Sequence, residues 1–208
     1  MPSSTYYAVL LALVLGVGCG ESKEKTTPKA EPKVEAKKSE QVNELKRRAG
    51  ENRFDHEIQQ AAVAYGIAPA LIKAVVWRES RFNPKARGSA GKIGLMQLRE
   101  IAAREWAEAN GVRGFQNEHL LNPHTNLLAG TWYLKKWRDR SPHPDDPLPF
   151  ALAAYNAGPT KAREWARSDN STGNFINRID YPSTKEYVLT ILQRQVEFQK
   201  MFDTKPTK

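Results

Sequence analysis

One glutamate in this chain closes an apolar run. The segment APALIKAVV leads into WRESRFNP, and Ile72, Val75, Val76 and Glu79 recur at i, i+3, i+4 and i+7. That spacing puts all four on one helix face, the face that packs inward. Arg78 and Ser80 lie off the stripe. An exposed glutamate, with a pKa of about 4.3, is protonated in under roughly one per cent of molecules at pH 7 and makes a poor general acid. Burial against Ile72, Val75 and Val76 disfavours the charged form and raises the pKa. At about 6–7, one carboxyl can both give and take a proton within a single cycle. The alternative is a buried ion pair, with Arg78, Arg81 and Arg87 as candidate partners. The helix face alone leaves both readings open.

Other common site chemistries each lack a part. The histidines, His56, His119, His124 and His143, show no short ligand pairing on a helix. HEIQQ starts like a zinc-protease helix but has Gln60 where the second histidine belongs. No G-x-S-x-G nucleophile elbow is present. The glycine-rich turn KARGSAGKIG lacks the G-K-[ST] ending of a phosphate loop. The one cysteine, Cys19, rules out an intrachain disulfide and lies outside any core. No metal and no cofactor is expected.

The chain has 208 residues, with 32 Lys and Arg against 23 Asp and Glu. A basic balance suits an anionic partner such as nucleic acid, anionic lipid or an acidic wall polymer; the plain alternative is an evenly solvated surface. No Lys/Arg run is interleaved with aromatic residues, which argues against a nucleic-acid module. Residues 1–20 carry no charged side chain, and YYAVLLALVLGVGCG is an apolar run short for a membrane span. Ending in the small residues Gly16 and Gly18, it reads as a signal peptide over residues 1–18. Cys19 follows directly, and the arrangement resembles a bacterial lipoprotein signal, whose cysteine is acylated and becomes the mature N-terminus. It departs from that pattern at Gly16, where an aliphatic residue is usual, and in having no Lys or Arg ahead of the apolar run. A plain cleaved signal and an uncleaved anchor are the alternatives, and all three export the protein.

Residues 19–50 are rich in Lys, Glu, Pro and Thr and hold no aromatic residue. Such a stretch cannot bury enough apolar surface to offset its ordering entropy. It reads as a tether, partly extended by its prolines, with SEQVNELKRRAGENR weakly helical. Residues 51–208 form one all-α domain, long enough for a real core. FDHEIQQAAVAYG places Phe54, Ile58, Ala61, Ala62 and Tyr65 on one face, with Gly66 as the stop. LMQLREIAAREWAEANG reads as a helix ending near Gly111. Asn122-Pro123 starts a third, and Gly158-Pro159 stops the Ala-rich PFALAAYNAGP. TKAREWARS is short and helical, and the last helix opens with a capping box from Ser183 to Glu186. Trp132 and Trp137 lie in an apolar helix and are expected in the core.

In order along the chain, ESRFNPKA, GLMQL, NLLAGTWYL, ALAAYNAGP and a late EYV resemble the soluble lytic transglycosylase family. The blocks run from about residue 55 to 200, nearly all of the globular part. The resemblance implies a lysozyme-like helical fold related to goose-type lysozyme. It also implies cleavage of the β-1,4 bond between N-acetylmuramic acid and N-acetylglucosamine in peptidoglycan, leaving a 1,6-anhydro end. Glu79 then matches the single catalytic glutamate, acid first and base second. By the same resemblance Ser80 gives a supporting hydrogen bond, Met96 and Gln97 form the groove floor, Tyr155 orients Glu79 through its hydroxyl, and Asn156 binds sugar or caps its turn. The implied partners are glycan strands and, through Cys19, a membrane facing the periplasm. Three departures bear on substrate details: Lys92-Ile93 before the glycine where Ala or Val is usual, Arg99-Glu100 for Met-Pro, and Ser183-Thr184 for Glu-Thr. A wall-binding or assembly protein with a dead site and a true hydrolytic lysozyme are the rival readings.

Overall fold

The computed structural model describes residues 32–167 and 174–203; Cys19, the leader and the start of the tether lie outside the described residues. The chain divides into two units, Met1–Gln41 and Val42–Lys208. In the first, the described residues are the opening turns of α1 (Pro32–Asn52). The second holds the rest of α1 and then α2 (Asp55–Tyr65), α3 (Pro69–Ser80), α4 (Glu100–Ala109), α5 (Pro123–Arg138), α6 (Leu148–Ala157), α7 (Pro159–Arg167), α8 (Phe175–Arg178) and α9 (Pro182–Asp203). Among the described residues there is no strand beyond isolated bridges, and no helix is long and apolar enough to cross a membrane.

α3 is the hub. Pro69 occupies its first turn, and residues 70–76 are buried on every side of the helix. α9 packs along it, α6 packs on α9, and α5 packs on both α6 and α2. The punctuation is local. Gly66 takes φ 61° and its N–H donates to Ala62 O, ending α2. The Asn122 side chain accepts from the Thr125 N–H at 3.1 Å, with Pro123 next. Trp137 is buried in this core, whereas Trp132 is only partly covered.

Three expectations change. The stretch read as an extended tether is helical from Pro32 onward. Its Lys, Glu and Arg residues are good helix formers, and Glu44 pairs with Arg47 and Arg48 one turn on. Residues 95–98 do not join α4 but form a turn, closed by reciprocal Ile93–Leu98 backbone hydrogen bonds of 3.0 Å each. Their apolar spacing fits a helix, but Gly94 (φ 80°) and Gln97 (φ 46°) are left-handed and break it. α9 starts at Pro182, so Ser183 falls inside its first turn rather than capping it.

Beneath α3, Lys73 is 1% exposed. Its ammonium donates to Asp55 Oδ1 and Asn52 Oδ1, both at 2.6 Å, and lies 5.3 and 5.4 Å from the ring centres of Phe198 and Phe202. One cation thus ties the end of α1 and the start of α2 to α3 and α9. Removing one partner of a buried pair strands the other charge. We expect Asp55→Ala to lose about 3 kcal/mol in urea denaturation, and a loss below about 1 kcal/mol would show that this pair does not brace the fold.

Candidate active site

The end of α3 is bent sharply. Arg81 (φ 52°) and Phe82 (φ 62°) are consecutive non-glycine residues in the left-handed region, each costing of order 1 kcal/mol. Packing holds them there. Phe82 is buried edge-on against Phe198, and the Arg81 guanidinium lies 3.5 Å over the Trp77 ring. The bend frees the last turn of α3 from the core and leaves Glu79 partly buried.

Tyr187, 2% exposed on α9, donates its hydroxyl to Glu79 Oε1 at 2.7 Å. The ion-pair reading is not realised. Arg78 lies over the Tyr187 ring, Arg81 over Trp77, and Arg87 is exposed. Burial pushes the Glu79 carboxyl above the ordinary carboxylate value. The Tyr187 hydrogen bond and the more distant charges of Lys92 and Arg78 only partly oppose this. The Tyr187 phenol is driven well up by burial and then by the Glu79 charge, so it stays a donor.

Beside this carboxyl lies an open cavity of about 500 Å³. Gln97, Tyr155 and Asn156 are among its lining residues, with Lys92, Arg99 and Lys136. Glu79 is not on the lining, but its charge acts on Tyr155 and feels Lys92, both of which are.

The residues matched by resemblance are used differently from expectation. Tyr155 donates to the Met96 carbonyl at 2.8 Å, not to Glu79; the hydroxyl on the carboxylate is that of Tyr187. Ser80 donates back to Val76 O at 3.2 Å, a bond within its own helix. Gln97 is 6% exposed, and its amide donates to Ala86 O and Gly94 O at 3.1 and 2.9 Å, bracing the loop it sits on. The Met96 side chain is wholly buried against α5, where Gly130 makes room; a Cβ on Gly130 would sit 2.4 Å from Met96 Sδ. Asn156 Oδ1 accepts from Thr184 Oγ1 at 2.8 Å.

Two residues that sequence reading did not single out hold the site together. Tyr187 is one, although it lies within the quoted EYV block. The other is Asn126, the first residue of the NLLAGTWYL block and fully buried. Its Oδ1 accepts from the Met96 N–H at 2.8 Å, and its Nδ2 donates to Ile93 O and Leu120 O at 2.9 Å each. A Cβ on Gly94 would lie 2.2 Å from that amide nitrogen, so glycine is required there for space as well as for φ.

A helical domain with a half-buried carboxyl near an open groove, and no cation paired with it among the described residues, fits the lysozyme-like helical class. The transglycosylase SLT domain matches residues 56–177, and the chain belongs to that family. It is 31% identical over 147 residues to the soluble lytic murein transglycosylase of Escherichia coli K12, covering 68% of this chain and 22% of that protein. It is 36% identical over 146 residues to the membrane-bound lytic murein transglycosylase F of Desulfosudis oleivorans, covering 69% and 30%. Among solved structures, the 70-kDa soluble lytic transglycosylase of E. coli superposes with a TM-score of 0.63 at 26% identity, covering 72% of this chain and 24% of that one. An inactive mutant of the lytic transglycosylase Slt from Pseudomonas aeruginosa gives 0.62 at 26%, covering 73% and 24%. The chain spans less than a third of each of these relatives.

The raised carboxyl has a thermodynamic signature. The unfolded chain ionises Glu79 near pH 4.3, about the free value, while the folded chain ionises it at higher pH. Its contribution to stability is therefore full below the unfolded value, about pH 4.3, and is lost as pH rises from there through the folded value. Relative to wild type, Glu79→Gln should be equally stable near pH 4 and gain as pH approaches 7. Tyr187→Phe, which removes the opposing hydrogen bond, should steepen the wild-type decline. Urea midpoints for the three proteins across this range test it, and a constant gap at every pH would refute the burial argument.

Proposed function

We propose that this chain is a peptidoglycan lytic transglycosylase. The observation that carries the reading is Glu79, a carboxyl raised by burial, held by one phenol and paired with no cation among the described residues. Protonated, it gives its proton to the glycosidic oxygen as the bond from C1 of N-acetylmuramic acid to that oxygen breaks. As a carboxylate it then takes the proton of the C6 hydroxyl, whose oxygen closes onto C1. The product is a 1,6-anhydro ring, and no water is consumed. Two-carboxylate glycosidases place a second acid near the bond. The one carboxylate on this cavity lining, Glu105, is bonded to Lys136. The inactive mutant of the Pseudomonas relative is a glutamate-to-glutamine change, which fits a single essential carboxyl.

The test is a mass spectrum of fragments released from purified peptidoglycan by the full chain. Anhydro-muropeptides, one water lighter than hydrolysis products, should form and should vanish with Glu79→Gln. Reducing-end products would instead make the protein a lysozyme, and binding without fragments would make it a wall-binding protein.

We also infer export and lipid anchoring at Cys19, from the leader sequence and from the membrane-bound names of relatives such as that of Desulfosudis. The anchored domain would reach the wall from the envelope membrane. Cell fractionation should find the wild type with membranes and Cys19→Ala released from them; a variant that stays with the membrane would overturn the lipid anchor.

A further inference from the structure

Among the described residues the cavity lining holds four charged side chains: Lys92, Arg99, Lys136 and Glu105. Two of them satisfy each other. Lys136 bonds Glu105, and its ammonium also lies 5.1 Å from the Trp137 ring centre and 5.7 Å from those of Trp132 and Tyr133. Lys92 and Arg99 make neither an ion pair nor a side-chain hydrogen bond among the described residues. The cavity therefore carries two cations with no ion-pair partner among the described residues.

The backbone fixes where these cations are. Ile93 and Leu98 form an antiparallel bridge with both hydrogen bonds made. The next opposed pair outward is Lys92 with Arg99. Alternation across a pleat sends neighbours to opposite faces. Ile93 and Leu98 point inward, 3% and 2% exposed, so Lys92 and Arg99 share the outer face toward the cavity. The backbone beneath is held: the Gly88 N–H donates to Lys92 O at 2.9 Å, and Asn126 pins the carbonyl of Ile93. Two cations on one groove wall, neither with an ion-pair partner among the described residues, are an arrangement that suits an anion.

We propose that Lys92 and Arg99 form a carboxylate-binding subsite that selects glycan bearing anionic side arms over neutral glycan. The proposal rests on the transglycosylase reading above and adds to it the part of the substrate that is recognised. The sugar rings of N-acetylated glycan are uncharged, so the pair meets hydrogen-bond acceptors but no counter-charge on the backbone itself. Carboxylates come from the muramic acid lactyl group where it carries no peptide, and from the peptide itself where one is attached. The two sources share one chemistry and are separated by experiment.

Binding is measured on the full chain carrying Glu79→Gln, so that fragments are not consumed and the charge of Glu79 plays no part. Three glycan fragments are compared: peptide-bearing, the same with every carboxylate amidated, and peptide-stripped with free lactyl carboxylates. Adding Lys92→Gln and Arg99→Gln together should raise Kd about tenfold or more for carboxylate-bearing fragment and leave the amidated one unchanged. Added salt should weaken only the carboxylate-dependent part. An effect on peptide-stripped glycan assigns the lactyl carboxylate, and one confined to peptide-bearing glycan assigns the peptide. Equal Kd values with and without the two substitutions, or equal losses for free and amidated fragments, would overturn the subsite. A folded parent that binds none of the three would overturn the transglycosylase reading itself, and the subsite with it.

Discussion

The hydrogen bond from Tyr187 to Glu79 is the contact on which the site depends. It joins the last turn of α3 to α9, the two helices that pack on each other most extensively. The bond is neutral on one side, so it orients the carboxyl without fixing it in its charged form as a guanidinium would. It is also a consequence of the fold rather than of local sequence. α9 must lie along α3 in a single register for a phenol buried at Tyr187 to meet a carboxyl at the half-buried end of α3. Disturbing the α3–α9 interface anywhere along its length therefore reaches the site, and the Lys73 cluster at the far end of α3 is one of the devices that hold this register.

The opposite wall is governed by one buried amide. All three hydrogen bonds of Asn126 go to backbone groups of the turn at 93–96 and of Leu120. An unmet buried backbone group costs about 1–3 kcal/mol. The side chain thus takes the place of a regular ladder or helix and allows a tight, irregular turn to sit inside the domain. Gln97 and Tyr155 reinforce the same turn from the groove side. Residues that resemblance assigns to substrate are thus first of all braces of the loop that shapes the groove. For Gln97 this follows from its count: both amide hydrogens already have carbonyl partners within the chain.

What was legible in the sequence is what is decided locally. Gly66, Asn122-Pro123 and Gly158 set helix ends through their own backbone preferences, and these places could be read directly. The stripe of Ile72, Val75 and Val76 is buried as a period of 3.6 residues implies, but Lys73 and Ala74 off the stripe are buried too, so the period placed Glu79 on a buried helix without singling out its face. The period cannot report what it meets. Tyr187 lies 108 residues away, so no window that finds the helix finds its partner. Tyr155 was credited with that role, and only packing could transfer it. The burial of Lys73 is not legible locally for the same reason: it follows from Asn52 and Asp55 arriving from other helices. The turn at 95–98 was read as helix because its apolar spacing fits one, while the amide that overrules that spacing sits on α5.

In the proposed reaction one carboxyl performs two proton transfers, and such a group must lie between two failures. A guanidinium in contact would hold it ionised, and it could not serve as an acid. Complete burial without any polar contact would hold it protonated, and it could not serve as a base. The site meets the requirement by opposing effects of different range. Burial acts directly on the group and raises its pKa; a single hydrogen bond and two cations that do not touch it pull the other way. Lys92 belongs to both the electrostatics of Glu79 and the wall of the groove. A cation that stands off from the carboxyl yet faces the cavity leaves the acid usable and remains free to meet an anion arriving with the substrate. Moving that charge into contact with Glu79 would satisfy a buried carboxylate and abolish the property for which it is buried.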